Sequence, residues 1–269
     1  MTLPLRSIRF PGFDPAGPYP FNVPVLQDLD EMTFSAPVTY FVGENGSGKS
    51  TLLEAIGIAA RLPTVGSANA PRDPSLAAVR PFAGRLRLVW NAGAQKKRGF
   101  FLRAEDFFGY IRRLAQMRAE LERDLERTRQ EYQDRSEFAQ GLARMPLVRE
   151  LHSMNDQYSR DLNDYSHGEG FLEFFKSRIV PGSLYVLDEP EVPLSPTSQL
   201  ALLSLMNQMV AENAQFIIAT HSPILMAFPG AEILSFDEHP PRPVAYADLE
   251  HVTLTRLFLN NPEQFLQHL

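Results

Sequence analysis

Short apolar runs recur along the chain and predict β-strands that alternate with helices. The strand candidates, rich in β-branched and aromatic residues, span residues 38–42, 184–187, 216–219 and 233–236. The helix candidates, with apolar positions at helical spacing, span residues 169–178, 196–211 and 222–227. Alternation of this kind favours a mostly parallel sheet. We therefore predict an α/β fold whose sheet is flanked by helices.

A long charged helix interrupts this alternation. From 106 to 135, apolar residues recur at steps of three, four or seven between charged ones, which predicts an amphipathic helix with a solvated face. A second, weaker helical stretch covers residues 141–162. We expect a helical insertion at about 106–164, a hairpin or lever, within a single domain that spans residues 1–269.

Proline and glycine mark the connections. Residues 11–24 contain five prolines, which favour extended or turn backbone over helix. Residues 62–82 hold four more and predict a surface loop. Two strand-like runs follow, at 86–90 and 99–102.

Composition excludes several classes of protein. The chain has 26 Lys and Arg against 32 Asp and Glu, a net charge of −6, which excludes a generally basic nucleic-acid coat. It has no cysteine, which excludes disulfides, zinc ribbons, iron–sulfur ligation and thiol nucleophiles. No apolar run approaches the roughly 18 residues of a membrane span, and prolines break the first 20 residues before any secretory signal. We expect a cytoplasmic protein with no direct membrane insertion.

A glycine-rich loop follows the first predicted strand. Residues 43–50, GENGSGKS, fit the pattern G-x-x-x-x-G-K-[ST] and lead into a helix-like run. Successive backbone amides of such a loop surround phosphate oxygens, and the positive end of the following helix adds attraction. Lys49 offers a mobile cation and Ser50 a hydroxyl for Mg²⁺. A mere flexible turn is the alternative, and the position between strand and helix argues against it.

Two adjacent carboxylates, Asp188 and Glu189, end the strand of the segment SLYVLDEP. Consecutive strand side chains point to opposite faces, so the two acids can differ in role. We expect Asp188 to orient the shell of a Mg²⁺ ion and Glu189 to polarise the water that attacks a γ-phosphate. Taken alone, the segment would be an ordinary Asp-Glu-Pro turn; the phosphate loop upstream favours the catalytic interpretation.

His221 ends another apolar strand, FIIATH, and lies 33 residues after Asp188. That distance leaves room for one crossover helix, so the two strands can run parallel. His221 can then donate a hydrogen bond to the γ-phosphate, beside Lys49 and Glu189. A histidine at a strand end usually has no such role, and the assignment depends on the motifs around it.

The segment YSHGEG, residues 165–170, opens a predicted helix 20 residues before Asp188. It presents the Ser166 hydroxyl and free amides, including that of Gly168, at the positive end of the helix dipole. From the residues alone, a plain N-cap with a glycine turn is an equally good interpretation.

Taken in order, these motifs resemble those of an ATP-binding-cassette (ABC) ATPase. The resemblance covers most of the chain and includes a D-loop-like Leu194-Ser195-Pro196. The phrases GFFLRAEDFF, YSHGEGFLEFF, VLDEPEVPLSP and FIIATHSPIL are more similar to small stand-alone bacterial predicted ATPases, akin to SMC and RecF-like heads, than to transporters. The resemblance implies a P-loop NTPase fold with ATP and Mg²⁺. The implied ATP-binding residues are Gly43, Glu44, Asn45, Gly46, Ser47, Gly48, Lys49, Ser50 and Thr51.

The resemblance also implies a head-to-tail homodimer with ATP between the two copies. Ser166 and Gly168 of one copy would meet the γ-phosphate bound by the other, and hydrolysis would release the dimer. The chain departs from the usual LSGGQ signature, since His167 replaces the first glycine and Glu169 the glutamine. No Q-loop glutamine is evident, and Glu105 is the candidate metal-facing residue in its place.

The leading hypothesis is a Mg-dependent ATPase whose ATP-driven dimerisation acts on a partner, a protein or DNA, in repair or defence. A basic stretch motivates the nucleic acid, because residues 80–113 hold nine basic residues and two acidic ones. Those charges could equally lie on a solvated strand pair or near the ATP. One alternative is the nucleotide-binding subunit of a membrane transporter. Another is a small-molecule P-loop kinase, which does not explain Glu189.

Overall fold

The computed structural model describes residues 2–12, 17–64, 70–94, 98–157 and 167–267. The strands are β1 (Leu5–Arg9), β2 (Glu31–Thr33), β3 (Val38–Val42), β4 (Arg87–Trp90), β5 (Gly99–Arg103), β6 (Leu184–Asp188), β7 (Gln215–Ala219), β8 (Glu232–Ser235) and β9 (Arg242–Pro243). The α-helices are α1 (Pro24–Gln27), α2 (Lys49–Ala59), α3 (Arg80–Ala83), α4 (Ala104–Glu131), α5 (Glu137–Gln157), α6 (His167–Arg178), α7 (Pro196–Ala211), α8 (Glu250–Asn260) and α9 (Pro262–Leu266).

The central sheet has the strand order β5-β6-β7-β3-β8-β9. The pairs from β5 to β8 are all parallel, and β9 adds an antiparallel edge. Parallel neighbours need crossover connections, which the intervening helices supply. The predicted α/β fold with a mostly parallel sheet flanked by helices is confirmed.

Both faces of the sheet are covered, which explains why the central strands are apolar throughout. All five residues of β3, β6 and β7 are buried. Phe41 of β3 packs on one face with Leu52 and Ile56 of α2. Its neighbour Tyr40 packs on the other face with residues of α6 and α7. A sheet buried on both sides gives continuous hydrophobic runs rather than alternation.

A second, antiparallel sheet of order β2-β1-β4 lies beside the phosphate-loop helix. Its residues Leu5 and Ile8 belong to the same core cluster as α2. The buried side chain of Gln215 on β7 connects the two sheets: its Oε1 accepts from the Leu5 N–H at 2.7 Å, and its Nε2 donates to the Leu5 carbonyl at 3.0 Å. One amide side chain thereby hydrogen-bonds both the N–H and the carbonyl of Leu5.

The predicted insertion is built by α4 and α5, which pack against each other as a hairpin. Helix α4 begins at Ala104, two residues before the predicted start, and α5 continues to Gln157. The end of the predicted insertion falls on residues 158–166, which lie outside the described part of the chain. The single-domain boundary at 1–269 stays a prediction.

Some local predictions differ from the structure. Residues 222–227, expected as a helix, form one 3₁₀ turn at Leu225–Ala227. The loop expected at 62–82 contains the 3₁₀ turns Ala70–Arg72 and Pro74–Leu76 and the start of α3. Helical spacing cannot distinguish a single turn from the beginning of a longer helix, because both place the same first apolar residue inward.

Gly99 gives a direct test of the packing of β5 on β6. Its φ is +108°, and a Cβ at this position would lie 1.8 Å from the carbonyl oxygen of Leu184. Gly99→Ala should therefore lower the free energy of unfolding by about 3 kcal/mol or more, measured by urea denaturation. Gly109 in α4 is the matched control, since a Cβ added there would have no atom within 4 Å. Gly109→Ala should raise stability by up to about 1 kcal/mol. Equal stability of the two variants would contradict this packing.

Candidate nucleotide-binding site

The candidate site residues meet at one edge of the sheet because parallel strands end on the same side. In the register of the sheet, Asp188 at the end of β6 is opposite Ala219 at the end of β7, which is in turn opposite Phe41 of β3. The phosphate loop follows β3, and His221 follows β7 by two residues. Ligands of open α/β sheets bind at this carboxyl edge.

The phosphate loop encloses the ammonium group of Lys49, the first residue of α2. Its Nζ donates to the carbonyl oxygens of Gly43 and Glu44, each at 2.7 Å. Burial lowers the pKa of Lys49, while Asp237, Asp188 and Glu189 act in the opposite direction. The cation is thus fixed within the loop, beside the backbone amides that would surround phosphate oxygens.

Glycines allow the loop its shape. Gly48, the residue before α2, has a φ of +100°, and a Cβ there would lie 2.8 Å from the side chain of Val25. Gly46 has a φ of +85°, with no atom within 4 Å of the Cβ position. These two positive φ angles give the loop the tight, glycine-dependent turn that a phosphate cradle requires.

Ser50 and Asp188 come together although 138 residues separate them. The Ser50 hydroxyl donates to Asp188 Oδ1 at 3.1 Å. Burial raises the pKa of Asp188 to about 7, and the hydrogen bond from Ser50 opposes this shift. A hydroxyl and a carboxylate beside a phosphate cradle are oxygen ligands of the kind that Mg²⁺ prefers, so these residues fit that ion. An added cation would also relieve the burial cost of the carboxylate.

Glu189 begins the turn after β6 in a left-handed conformation, with a φ of +50°. Its N–H donates to the carbonyl oxygen of Ala219 at 2.9 Å, which continues the parallel ladder by one bond. A positive φ is uncommon for a glutamate and marks a place where the surroundings determine the backbone. The turn holds the half-buried Glu189 beside Asp188, as the sequence motif predicts.

His221 is fixed through its backbone by Glu191. The Glu191 Oε1 accepts from the His221 N–H at 2.7 Å. The other carboxylate oxygen of Glu191 is buried without a hydrogen-bond partner in the described chain, and burial raises the pKa of this group. Glu191 therefore connects the turn after β6 to the residue after β7. The motifs gave it no role, although it stands two residues after Glu189.

No sequence motif pointed to Asp237 either. It follows β8, the strand on the other side of β3, and its Oδ1 accepts from the N–H of Glu44 at 2.7 Å. The same oxygen would lie 2.8 Å from a Cβ at residue 43, where φ is +141°, so Gly43 is required there. The position of Asp237 after a strand-like run at 233–236 was the available signal.

A cavity of about 480 Å³ opens beside the loop. The phosphate-loop residues Gly43, Glu44 and Asn45 form one side of it. His221 borders it, together with residues from the C-terminal part of the chain: Asp237, Leu249, Glu250, His251 and Leu254. No sequence motif pointed to this C-terminal wall.

The candidate signature lies mostly outside the described residues. Ser166 falls in the segment 158–166, and Gly168 lies in the first turn of α6, which begins at His167. Their contact with nucleotide in a second copy stays a prediction.

Glu105, the candidate in place of a Q-loop glutamine, lies in the first turn of α4 with 76% of its side chain exposed. It pairs with Arg103 at 3.5 Å. Arg103 is buried and also contacts Glu54 of α2, Asp73 and Asp106. A metal-facing role for Glu105 stays a prediction.

The basic stretch at 80–113 is partly neutralised within the fold. Arg103 is surrounded by the four acids named above, Arg80 donates to the carbonyl of Asp73, and Arg85 lies over the ring of Phe21 at 5.0 Å. Lys96 and Lys97 lie outside the described residues.

Among helices of the described chain, none combines the length and the apolar character that a bilayer crossing requires.

Two protein families match the chain. Residues 21–66 match a family described as "AAA domain", and this match includes the phosphate loop. Residues 114–227 match one described as "AAA domain, putative AbiEii toxin, Type IV TA system", which includes Asp188, Glu189 and His221. No curated protein matches the chain significantly.

Several solved structures match most of the chain and are distant from it in sequence. An Smc head domain from Pyrococcus furiosus, bound to the C-terminal domain of ScpA, is 13% identical, with a TM-score of 0.46 over 98% of this chain and 100% of that one. The SMC head from Thermotoga maritima is 15% identical, with a TM-score of 0.44 over 90% and 100%. CbiO1 from Clostridium perfringens, part of the ABC transporter complex cbiONQ, is 11% identical, with a TM-score of 0.46 over 99% of both chains.

The two family matches agree with the geometry of the site. They cover the phosphate loop in one case and the ends of β6 and β7 in the other, which are the segments that the motifs singled out. The P-loop ATPase resemblance inferred from the motifs is thereby confirmed over these two segments, which are similar to AAA domains.

Proposed function

We propose that the protein hydrolyses ATP with the help of Mg²⁺. The observation that carries this proposal is the contact between Ser50 of the phosphate-loop helix and Asp188, with Glu189 next to it. A phosphate cradle alone binds nucleotide, whereas a carboxylate pair at the same edge adds the groups that hydrolysis needs.

Each residue has a separate task in this mechanism. Lys49 and the amides of the phosphate loop bind the β- and γ-phosphates. Ser50 and Asp188 would hold Mg²⁺, which would supply positive charge beside the phosphate oxygens. Glu189 orients the attacking water and accepts its proton. His221 donates a hydrogen bond to the γ-phosphate. Glu191 acts through His221 and is a positioning residue.

ATP-driven dimerisation is the second part of the proposal. The resemblance to ABC ATPases supports it, as does the open cavity beside the phosphate loop, which a second copy can cover. Ser166 and Gly168 of that copy would complete the site, and hydrolysis would separate the two heads. The dimer then acts as a switch on a partner in the cytoplasm. Nothing in the described contacts favours the transporter-subunit alternative.

Substitutions at Glu191 test the connection to His221. Glu191→Ala removes the acceptor of the His221 N–H, so phosphate release at saturating ATP should fall at least about tenfold. Glu191→Gln keeps an acceptor oxygen and should stay within about threefold of the wild type. ATP affinity should change little in both variants. An alanine variant with wild-type turnover would contradict the positioning role.

The molar mass in solution tests the dimer. Glu189→Gln should retain ATP and change from about 30 to about 61 kDa with Mg-ATP, measured by light scattering behind a sizing column, because the wild-type monomer has 30.3 kDa. The same variant without nucleotide is the control and should stay a monomer.

Ser166→Arg, added to Glu189→Gln, should prevent the dimer without preventing ATP binding. A Glu189→Gln variant that binds ATP and remains a monomer would overturn the dimer but not the ATP site. Transfer of labelled γ-phosphate by the wild-type protein to anything but water would instead favour the kinase alternative.

DNA is the partner class that the basic stretch favours, and the family description that names a toxin system supports a role in defence. Arg103 with Glu54, Asp73, Glu105 and Asp106 forms the Arg103 cluster. This part of the proposal rests on the arginines of the stretch that lie outside that cluster. Binding to a DNA duplex should fall steeply between low and physiological salt, measured by fluorescence anisotropy. The double variant Arg112→Glu/Arg113→Glu should bind DNA more weakly than the wild type at the same low salt concentration. No binding at low salt would exclude DNA and leave a protein partner.

A further inference from the structure

The first turn of α8 forms the wall of the cavity opposite the phosphate loop. Leu249, just before the helix, and Val252 are buried in the core and hold this turn in place. His251 lies between them and faces the cavity, which Gly43 and Asn45 border on the other side. The burial of Leu249 and Val252 thus helps to fix the position of His251.

His251 has a polar atom that finds no partner within the described chain. Its Nε2 is buried and makes no hydrogen bond there. A buried polar group without a partner is destabilising, and such a group in a native structure needs an explanation. Because Nε2 is out of reach of a molecule in the cavity, the half-buried ring of His251 can contact a ligand there only through its other nitrogen, Nδ1. A proton on Nδ1 leaves Nε2 as a bare acceptor, which costs less than a buried N–H without a partner.

The ring of His251 lies beside the ring of His221, with a centroid distance of 6.5 Å. His221 is the residue expected to contact the γ-phosphate. Two imidazole rings this close, both bordering the cavity that the phosphate loop also borders, can contact the same small group of oxygen atoms.

The charges around His251 favour a neutral ring that still donates a hydrogen bond. Burial, and then His221, lower the pKa of His251, while Asp237 and Glu250 act in the opposite direction. A neutral imidazole carries one N–H and one acceptor nitrogen. Glu250 and Asp237 also border the cavity, so an anion there needs donors to offset the two carboxylates.

We propose that His251 is a second phosphate-facing histidine, which donates a hydrogen bond to the terminal phosphate of a bound nucleoside triphosphate. This inference rests on the proposed function of the site. It adds the C-terminal wall to a site that is otherwise built from the central sheet. Because ADP lacks the terminal phosphate, His251 distinguishes the triphosphate from the diphosphate.

The test compares Mg-ATP and Mg-ADP affinities by titration calorimetry. The parent carries Glu189→Gln, which stops hydrolysis, and Ser166→Arg, which keeps dimerisation out of the measured affinity. His251→Phe keeps a ring in the same space but removes both nitrogens. In this background it should weaken Mg-ATP binding about tenfold and leave Mg-ADP binding within about twofold.

Two further variants serve as references. His152→Phe alters an exposed histidine of α5 and should change neither affinity. His221→Phe should reproduce the selective loss for ATP. Thermal melting without nucleotide should show that all variants are folded.

The outcomes separate the inference from the function beneath it. Unchanged ATP affinity in His251→Phe, or equal loss of ATP and ADP affinity, would overturn the role of His251 while the parent still binds ATP. A parent that binds neither nucleotide would overturn the proposed function, and the inference with it.

Discussion

The site depends on the hydrogen bond between Ser50 and Asp188, which joins the phosphate-loop helix α2 to the end of β6, two strands away from β3. This bond forms only if β6, β7 and β3 lie in the observed register, because a slip of one residue would turn Asp188 to the other face of the sheet. Burial on both faces of these strands enforces the register. Packing of the hydrophobic core therefore also fixes the geometry of the site.

The features that could be predicted from the sequence are those with a short-range signal. The phosphate loop, the acid pair and the strands that carry them each have a signal within about ten residues, and the structure has strands or helices close to the predicted bounds. The antiparallel sheet was not predicted, since β2 has only three residues, and two of them are exposed. Such a strand has little periodicity of its own and depends on pairing with β1.

The residues missed in the site are those whose role depends on long-range contacts. Glu191 contacts a backbone amide 30 residues away, and Asp237 contacts one 193 residues away. Both are ordinary carboxylates in sequence. Only the convergence of strand ends, which is a property of the sheet, shows that they border the phosphate loop and the histidine.

The Arg103 cluster lies at the root of the α4–α5 hairpin and links it to the nucleotide site. Arg103 pairs with Glu54, which is on the helix that begins with Lys49, and α4 starts at the next residue. That helix has 28 residues, which is about 42 Å at 1.5 Å per residue. A tilt of about 5° at its base displaces the far end by about 4 Å. By its length alone, the hairpin would therefore convert a small change of angle at Arg103 into a displacement of side-chain size at its far end.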